Sequence, residues 1–135
     1  KQVSSSPISA WFRVMRPGNL AIIAAAIAIL RYSYDGAWGS LFLEVLFILP
    51  LVLLAAGGNI INDYFDIKED RINKPERALV GRVLKRRIAL VSHWALTAAG
   101  LVTAGVLSVT IGNYIPLMIA FTISIVLFFY SAKLK

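Results

Sequence analysis

The sequence predicts an all-α fold, a polytopic transmembrane helix bundle with four membrane-crossing helices in its 135 residues. Composition is the first reason: 59% of the residues are hydrophobic and only 16% charged, with a mean hydropathy of +0.75, whereas a soluble domain is about half apolar and about a quarter charged. The second reason is that long apolar runs recur along the whole chain, and the third is that basic residues collect on one side once those runs alternate across a bilayer. At roughly 20 residues per crossing the helices and their short loops use up the chain, leaving no room for a separate soluble domain. The chain has no cysteine, which excludes disulfide scaffolds, thiolate metal sites and cysteine nucleophiles.

The first helix is expected over about residues 9–31. Its apolar run, Leu20 to Leu30, is extended backwards by Trp11, Phe12, Val14 and Met15, and it ends at Arg31-Tyr32-Ser33-Tyr34-Asp35-Gly36, a headgroup-level turn. The second, over about 41–66, is apolar from Leu41 to Ile61 apart from Glu44 and reaches roughly 31 Å at 1.5 Å per residue, one bilayer crossing. A polar, basic stretch from Asn62 to Arg87 follows. The third and fourth helices, over about 87–111 and 114–132, are joined by the tight turn Gly112-Asn113.

Alternating four crossings places every Lys and Arg except Arg31 on the side of the N-terminus, the 62–87 loop and the Lys133 to Lys135 end. The positive-inside rule makes that side cytoplasmic, in an inner or cell membrane. The net charge of +7 then reads as cytoplasmic loops facing anionic lipid, not as a nucleic-acid surface.

The chemistry lies at the cytoplasmic end of the second helix. At about 100° per residue, Asn59, Asn62, Asp63, Asp66 and Asp70 share one helix face. Carboxylates at a membrane edge are costly and repel one another, so a cation is needed to offset them. Oxygen ligands from Asp and Asn, without His or Cys, favour a hard ion; Mg²⁺ uses one or two carboxylates and takes further ligands from water and substrate phosphates, so a diphosphate is the natural partner. Simple helix capping explains the acids poorly, because negative charge at a helix C-terminus opposes the macrodipole. Downstream, Lys74 and Arg77 are candidates for diphosphate oxygens, although a solvated positive loop accounts for most of the basic residues there.

Asn62-Asp63-x-x-Asp66-x-x-x-Asp70, then Asn73-Lys74-Pro75-x-Arg77, with Asn59 three residues upstream, closely resembles the UbiA-type intramembrane prenyltransferases. Arg16-Pro17-x-Asn19 and Tyr130-Ser131-x-x-Leu134-Lys135 are similar to elements of that family's first and fourth helices, so the resemblance runs from about Arg13 to the end. It implies a nine-helix bundle around a central cavity where two aspartate-rich motifs hold Mg²⁺ and a prenyl diphosphate. Residues 1–135 would be the N-terminal part of that single membrane domain, carrying four helices and the first motif. The remainder of the same polypeptide would then be a partner, and this part alone is expected to be inactive. Where many members carry a Pro-x-Pro-Ser-Gly-like run after the arginine, this chain has Ala78-Leu79-Val80-Gly81.

Carried over by resemblance, Asp63 and Asp66 are the catalytic carboxylates, and Asn62, Asp63, Asp66 and Asp70 the Mg²⁺ ligands. Asn59, Asn62, Arg16, Asn19, Lys74, Arg77, Tyr130, Ser131 and Lys135 bind substrate, with Lys133 the alternative to Lys135 in another register. The metal and cationic side chains would stabilise the departing diphosphate while the allylic cation forms away from water, near an aromatic face such as Tyr64 or Tyr130. Phe121, Phe128 and Phe129 read as lipid or core contacts, and His93, beside Trp94, as an interfacial residue outside the site. The Asp70 to Arg77 stretch most resembles the ether-lipid branch of the family, which passes a geranylgeranyl group to geranylgeranylglyceryl phosphate. Aromatic-acceptor branches (4-hydroxybenzoate, homogentisate, chlorophyll) are the first alternative, and an ion-binding transporter is the alternative of another class.

Overall fold

A computed structural model describes residues 6–37, 39–67, 72, 73, 75 and 78–133. The chain forms α1 (Pro7–Val14), α2 (Pro17–Asp35), α3 (Leu41–Phe65), α4 (Arg86–Ile111) and α5 (Ile115–Lys133), with no strand among the described residues. Helices α3, α4 and α5 are each long and apolar enough to cross a membrane, and α1 with α2 passes as one further, bent span. The protein is an integral membrane helix bundle.

The helix ends follow local chemistry. Ser6 and Ser40 cap α1 and α3, their hydroxyls accepting from the amides of Ser9 (3.1 Å) and Leu43 (3.2 Å). Gly36 and Gly112 close α2 and α4 at φ 71° and 67°, a left-handed conformation that glycine adopts without Cβ strain. The turn after α4 is held by Asn113, whose side-chain oxygen accepts from Ile115 N at 2.9 Å, and by Ser108, whose hydroxyl accepts from Leu117 N at 3.0 Å.

The first element departs from the single helix expected over 9–31. The chain makes two helices meeting at Met15 and Arg16 with a 42° bend. Pro17 has no N–H to continue the α1 ladder and it disfavours helical geometry at the preceding residue. Arg16 accordingly sits at φ 57°, ψ 69°, the one non-glycine positive φ among the described residues.

Helices α3 and α4 pack along their lengths because small residues line the seam, the usual device for close helix approach in membranes. A Cβ on Gly100 would stand 2.9 Å from Leu54 Cδ2 and 3.2 Å from the Pro50 carbonyl oxygen, and one on Gly57 would stand 3.3 Å from the His93 carbonyl oxygen. One apolar cluster sits where α1 crosses the end of α3: Ala10, Val14, Met15 and Ile60 pack with Leu79, Val80 and Leu84. The Ala78-Leu79-Val80-Gly81 departure therefore has a structural account. Its three apolar side chains are buried, and Gly81 turns at φ 86° with its amide on the Leu84 carbonyl at 2.7 Å.

Candidate active site at the helix ends

Arg16, Asn19, Asn59, Asn62, Tyr130 and Ser131 come from three helices and line a single cavity of about 570 Å³. Their separation in sequence closes because α2, α3 and α5 each present one face, at spacings of three and four residues, to a common axis. Below this polar mouth the walls turn apolar, with Ile23, Leu51, Ala55, Ile123 and Leu127. Gly58 belongs to the same wall, and a Cβ there would stand 3.1 Å from Leu127 Cδ1. The apolar half was not singled out from the sequence, although its signal was present: Ala55 and Leu51 continue the Asn59 face at intervals of four.

Asp63 and Asp66 do not line this cavity themselves; each is bonded to a residue that does. Asp63, with 12% of its side chain exposed, accepts from the Arg16 guanidinium at 2.9 Å. Asn62 donates through Nδ2 to Asp66 Oδ2 at 3.3 Å, and Asp66 closes α3 with its own amide on the Asn62 carbonyl at 3.0 Å. Asn59 donates through Nδ2 to the Met15 carbonyl at 2.8 Å. That carbonyl is exposed by the break before Pro17, so a cavity-lining side chain completes the hydrogen bonding of the α1–α2 junction. Arg16 is thus held by two bonds, its own ion pair and the neighbouring Asn59 bond, against a left-handed backbone that costs about 1–2 kcal/mol. Such strain is retained where a side chain must point in one direction.

Asp63, Asp66 and Asn62 supply carboxylate and amide oxygens with no nitrogen or sulfur donor, a set that fits a hard divalent cation. No group of three His, Cys, Asp or Glu side chains converges among the described residues. Asp70, Lys74, Arg77 and Lys135, expected in the site, lie outside the described residues, as does the side chain of Lys133.

Two aromatic expectations divide. Tyr130 lines the cavity, whereas Tyr64 packs against the cluster beneath α1 with the Arg86 guanidinium 5.5 Å from its ring centroid. His93, expected as an interfacial residue outside the site, has its side chain buried between helices, with Nδ1 at 3.0 Å from the Gly57 carbonyl oxygen and its ring against Trp94 and Phe128. The glycine explains this, because the missing side chain lets α4 approach closely enough for the imidazole to reach backbone.

Comparison with known proteins gives the family: the model of the UbiA prenyltransferase family matches residues 19–135. The chain belongs to that family. Among its relatives is the digeranylgeranylglyceryl phosphate synthase of Methanothrix thermoacetophila, 37% identical over 123 residues that cover 90% of this chain and 44% of the relative. The synthases of Thermococcus kodakarensis and Methanosarcina barkeri are 35% and 34% identical, over 93% and 97% of this chain and 44% and 48% of their own length. The chain therefore spans somewhat less than half the length of these relatives. No solved structure matches it.

Proposed function

We propose that the protein to which this chain belongs transfers a prenyl group, geranylgeranyl, from its diphosphate to geranylgeranylglyceryl phosphate in ether-lipid synthesis, with Mg²⁺ as cofactor. The observation that carries the reading is the graded cavity, with Arg16, Asn19, Asn59, Asn62, Tyr130 and Ser131 at one end and aliphatic walls at the other. It suits a molecule with a charged head and a long hydrocarbon tail. The identity to ether-lipid synthases over nearly the whole chain favours the glycerol-phosphate acceptor.

Asp63, Asp66 and Asn62, joined by Asp70, would hold the metal, which when bound neutralises developing charge on the leaving diphosphate. Arg16 supplies a cationic donor to the same oxygens, to which Lys74, Arg77 and Lys135 would add theirs, favouring bond cleavage over the ground state. Ser131 and Asn19 orient the head, and Tyr130, in the same cavity wall, offers an aromatic ring to stabilise an allylic cation. The aliphatic walls keep water from capturing that cation before the acceptor does. The charge asymmetry of the loops supports a cytoplasmic mouth, with the N-terminus and the 62–87 loop on that side.

The test is transfer by the intact protein in membranes, from labelled geranylgeranyl diphosphate to geranylgeranylglyceryl phosphate or 4-hydroxybenzoate, with and without Mg²⁺. Metal-dependent product on the glycerol phosphate, lost in Asp63→Ala and Asp66→Ala, is expected. Product on the aromatic acid instead would reassign the acceptor, and transfer indifferent to both aspartates would remove the site.

A further inference from the structure

The polar cavity reaches down to Leu51. A second cavity of about 620 Å³ begins on the other side of that leucine, which lines both, and continues toward the opposite ends of the helices. The helical repeat lines the two up: one face of α2 runs from Asn19 through Ile23 and Ile27 to Arg31, and one face of α3 from Asn62 through Ala55 and Leu51 to Phe47. At 1.5 Å per residue the rise is about 16 Å from Asn62 to Leu51 and about 22 Å from Asn62 to Phe47.

The lower cavity is closed by a charge that is already engaged. Arg31 is paired with Glu44 at 3.0 Å and with Asp35, and Glu44 also accepts from the Gly39 amide at 3.0 Å. The Arg31 guanidinium lies 3.9 Å from the centroid of the Phe47 ring. With its donors committed to carboxylates and its face against an aromatic ring, Arg31 forms a plug and not an anion site.

We propose that Leu51 and Phe47 set the length of prenyl chain the donor site accepts, Leu51 as a waist between the two cavities and Phe47, backed by Arg31, as the floor. The inference rests on the prenyltransferase reading above. With C–C bonds of about 1.5 Å, the four chain bonds of an extended isoprene unit advance about 5 Å. With the allylic carbon level with Asn62 and the diphosphate beyond it toward Asp63 and Asp66, three units end at the waist, a fourth passes Leu51 and reaches the floor, and a fifth exceeds the rise of about 22 Å. The occupant follows from adjacency: the lower cavity meets the head-group cavity at Leu51, which lines both, and its walls are chiefly aliphatic.

The experiment compares kcat/KM of the intact protein for farnesyl, geranylgeranyl and geranylfarnesyl diphosphates at saturating acceptor and Mg²⁺. Leu51→Phe narrows the waist, and the geranylgeranyl to farnesyl ratio is expected to fall by about tenfold or more, the scale on which hydrophobic pockets discriminate chain length. Phe47→Ala lowers the floor, and geranylfarnesyl diphosphate is expected to gain on geranylgeranyl by a similar factor, a gain that misfolding cannot produce. Equal losses for all donors in Leu51→Phe, or an unaltered length profile in Phe47→Ala, overturn the gauge. A wild-type protein that transfers nothing from any donor refutes the prenyltransferase reading instead.

Discussion

Replacing Arg16 by glycine and, separately, by alanine separates what its backbone does from what its side chain does. Both variants remove the guanidinium that holds Asp63 at 2.9 Å, so the loss of that contact cancels between them. What remains is the φ of 57°. An L-residue pays about 1–2 kcal/mol in the left-handed region, and glycine loses roughly 0.5–1 kcal/mol for its greater freedom in the unfolded chain. The difference leaves Arg16→Gly more stable than Arg16→Ala by about 0.5–1 kcal/mol, the reverse of the order expected at a regular helical position. Denaturation of the purified intact protein in detergent, followed by tryptophan fluorescence, reads that order. Transfer activity should fall by a common factor in both, because each lacks the cationic donor. Alanine equal to or more stable than glycine would refute the strained junction; wild-type activity in either variant would refute a role for the Arg16 side chain at the diphosphate.

Asp63→Asn keeps the shape of the side chain and removes its charge, and transfer is expected to fall by about 10²–10³-fold with unfolding little changed, as measured by turnover and denaturation of one preparation. Gly100→Ala drives a methyl to within 2.9 Å of the buried Leu54 side chain, and a loss of about 1–3 kcal/mol is expected from overpacking. Adding Leu54→Ala to that variant should recover part of the loss as a positive coupling in a double-mutant cycle. Trp11→Phe retains an aromatic ring but loses the 2.7 Å bond from Nε1 to Ser92 Oγ, which should lower stability by about 1 kcal/mol and increase protease cleavage within α1.

The cavity's polar mouth was legible because its chemistry is written at helical spacing: Asn59, Asn62, Asp63 and Asp66 lie within two turns, and Arg16-Pro17-x-Asn19 and Tyr130-Ser131 are short local patterns. What escaped depends on contacts between segments distant in sequence. Pro17 was visible, but a proline permits either the interior of a bent helix or the first turn of a new one; the choice is made by Asn59, 44 positions away, bonding the Met15 carbonyl. His93 beside Trp94 has the pattern of an interface residue, and only the approach of Gly57 turns it inward. Leu79 and Val80 sit in a stretch read as a basic loop, yet they fill the space beneath α1, a consequence of tertiary packing that periodicity does not encode.

The junction at Met15 and Arg16 bears on how the protein is made. Synthesis delivers α1 and α2 to the membrane before α3. Yet α2 carries Arg31 and Asp35, and the side chains that engage Arg31, Arg16 and the Met15 carbonyl on the partner helix are Glu44, Asp63 and Asn59, all of them on α3. The α1–α2 span is therefore incomplete until α3 arrives. Insertion should proceed as a hairpin, the α1–α2 crossing waiting beside the translocon for α3, so that the Arg16–Asp63 and Arg31–Glu44 pairs form as the two enter the membrane together.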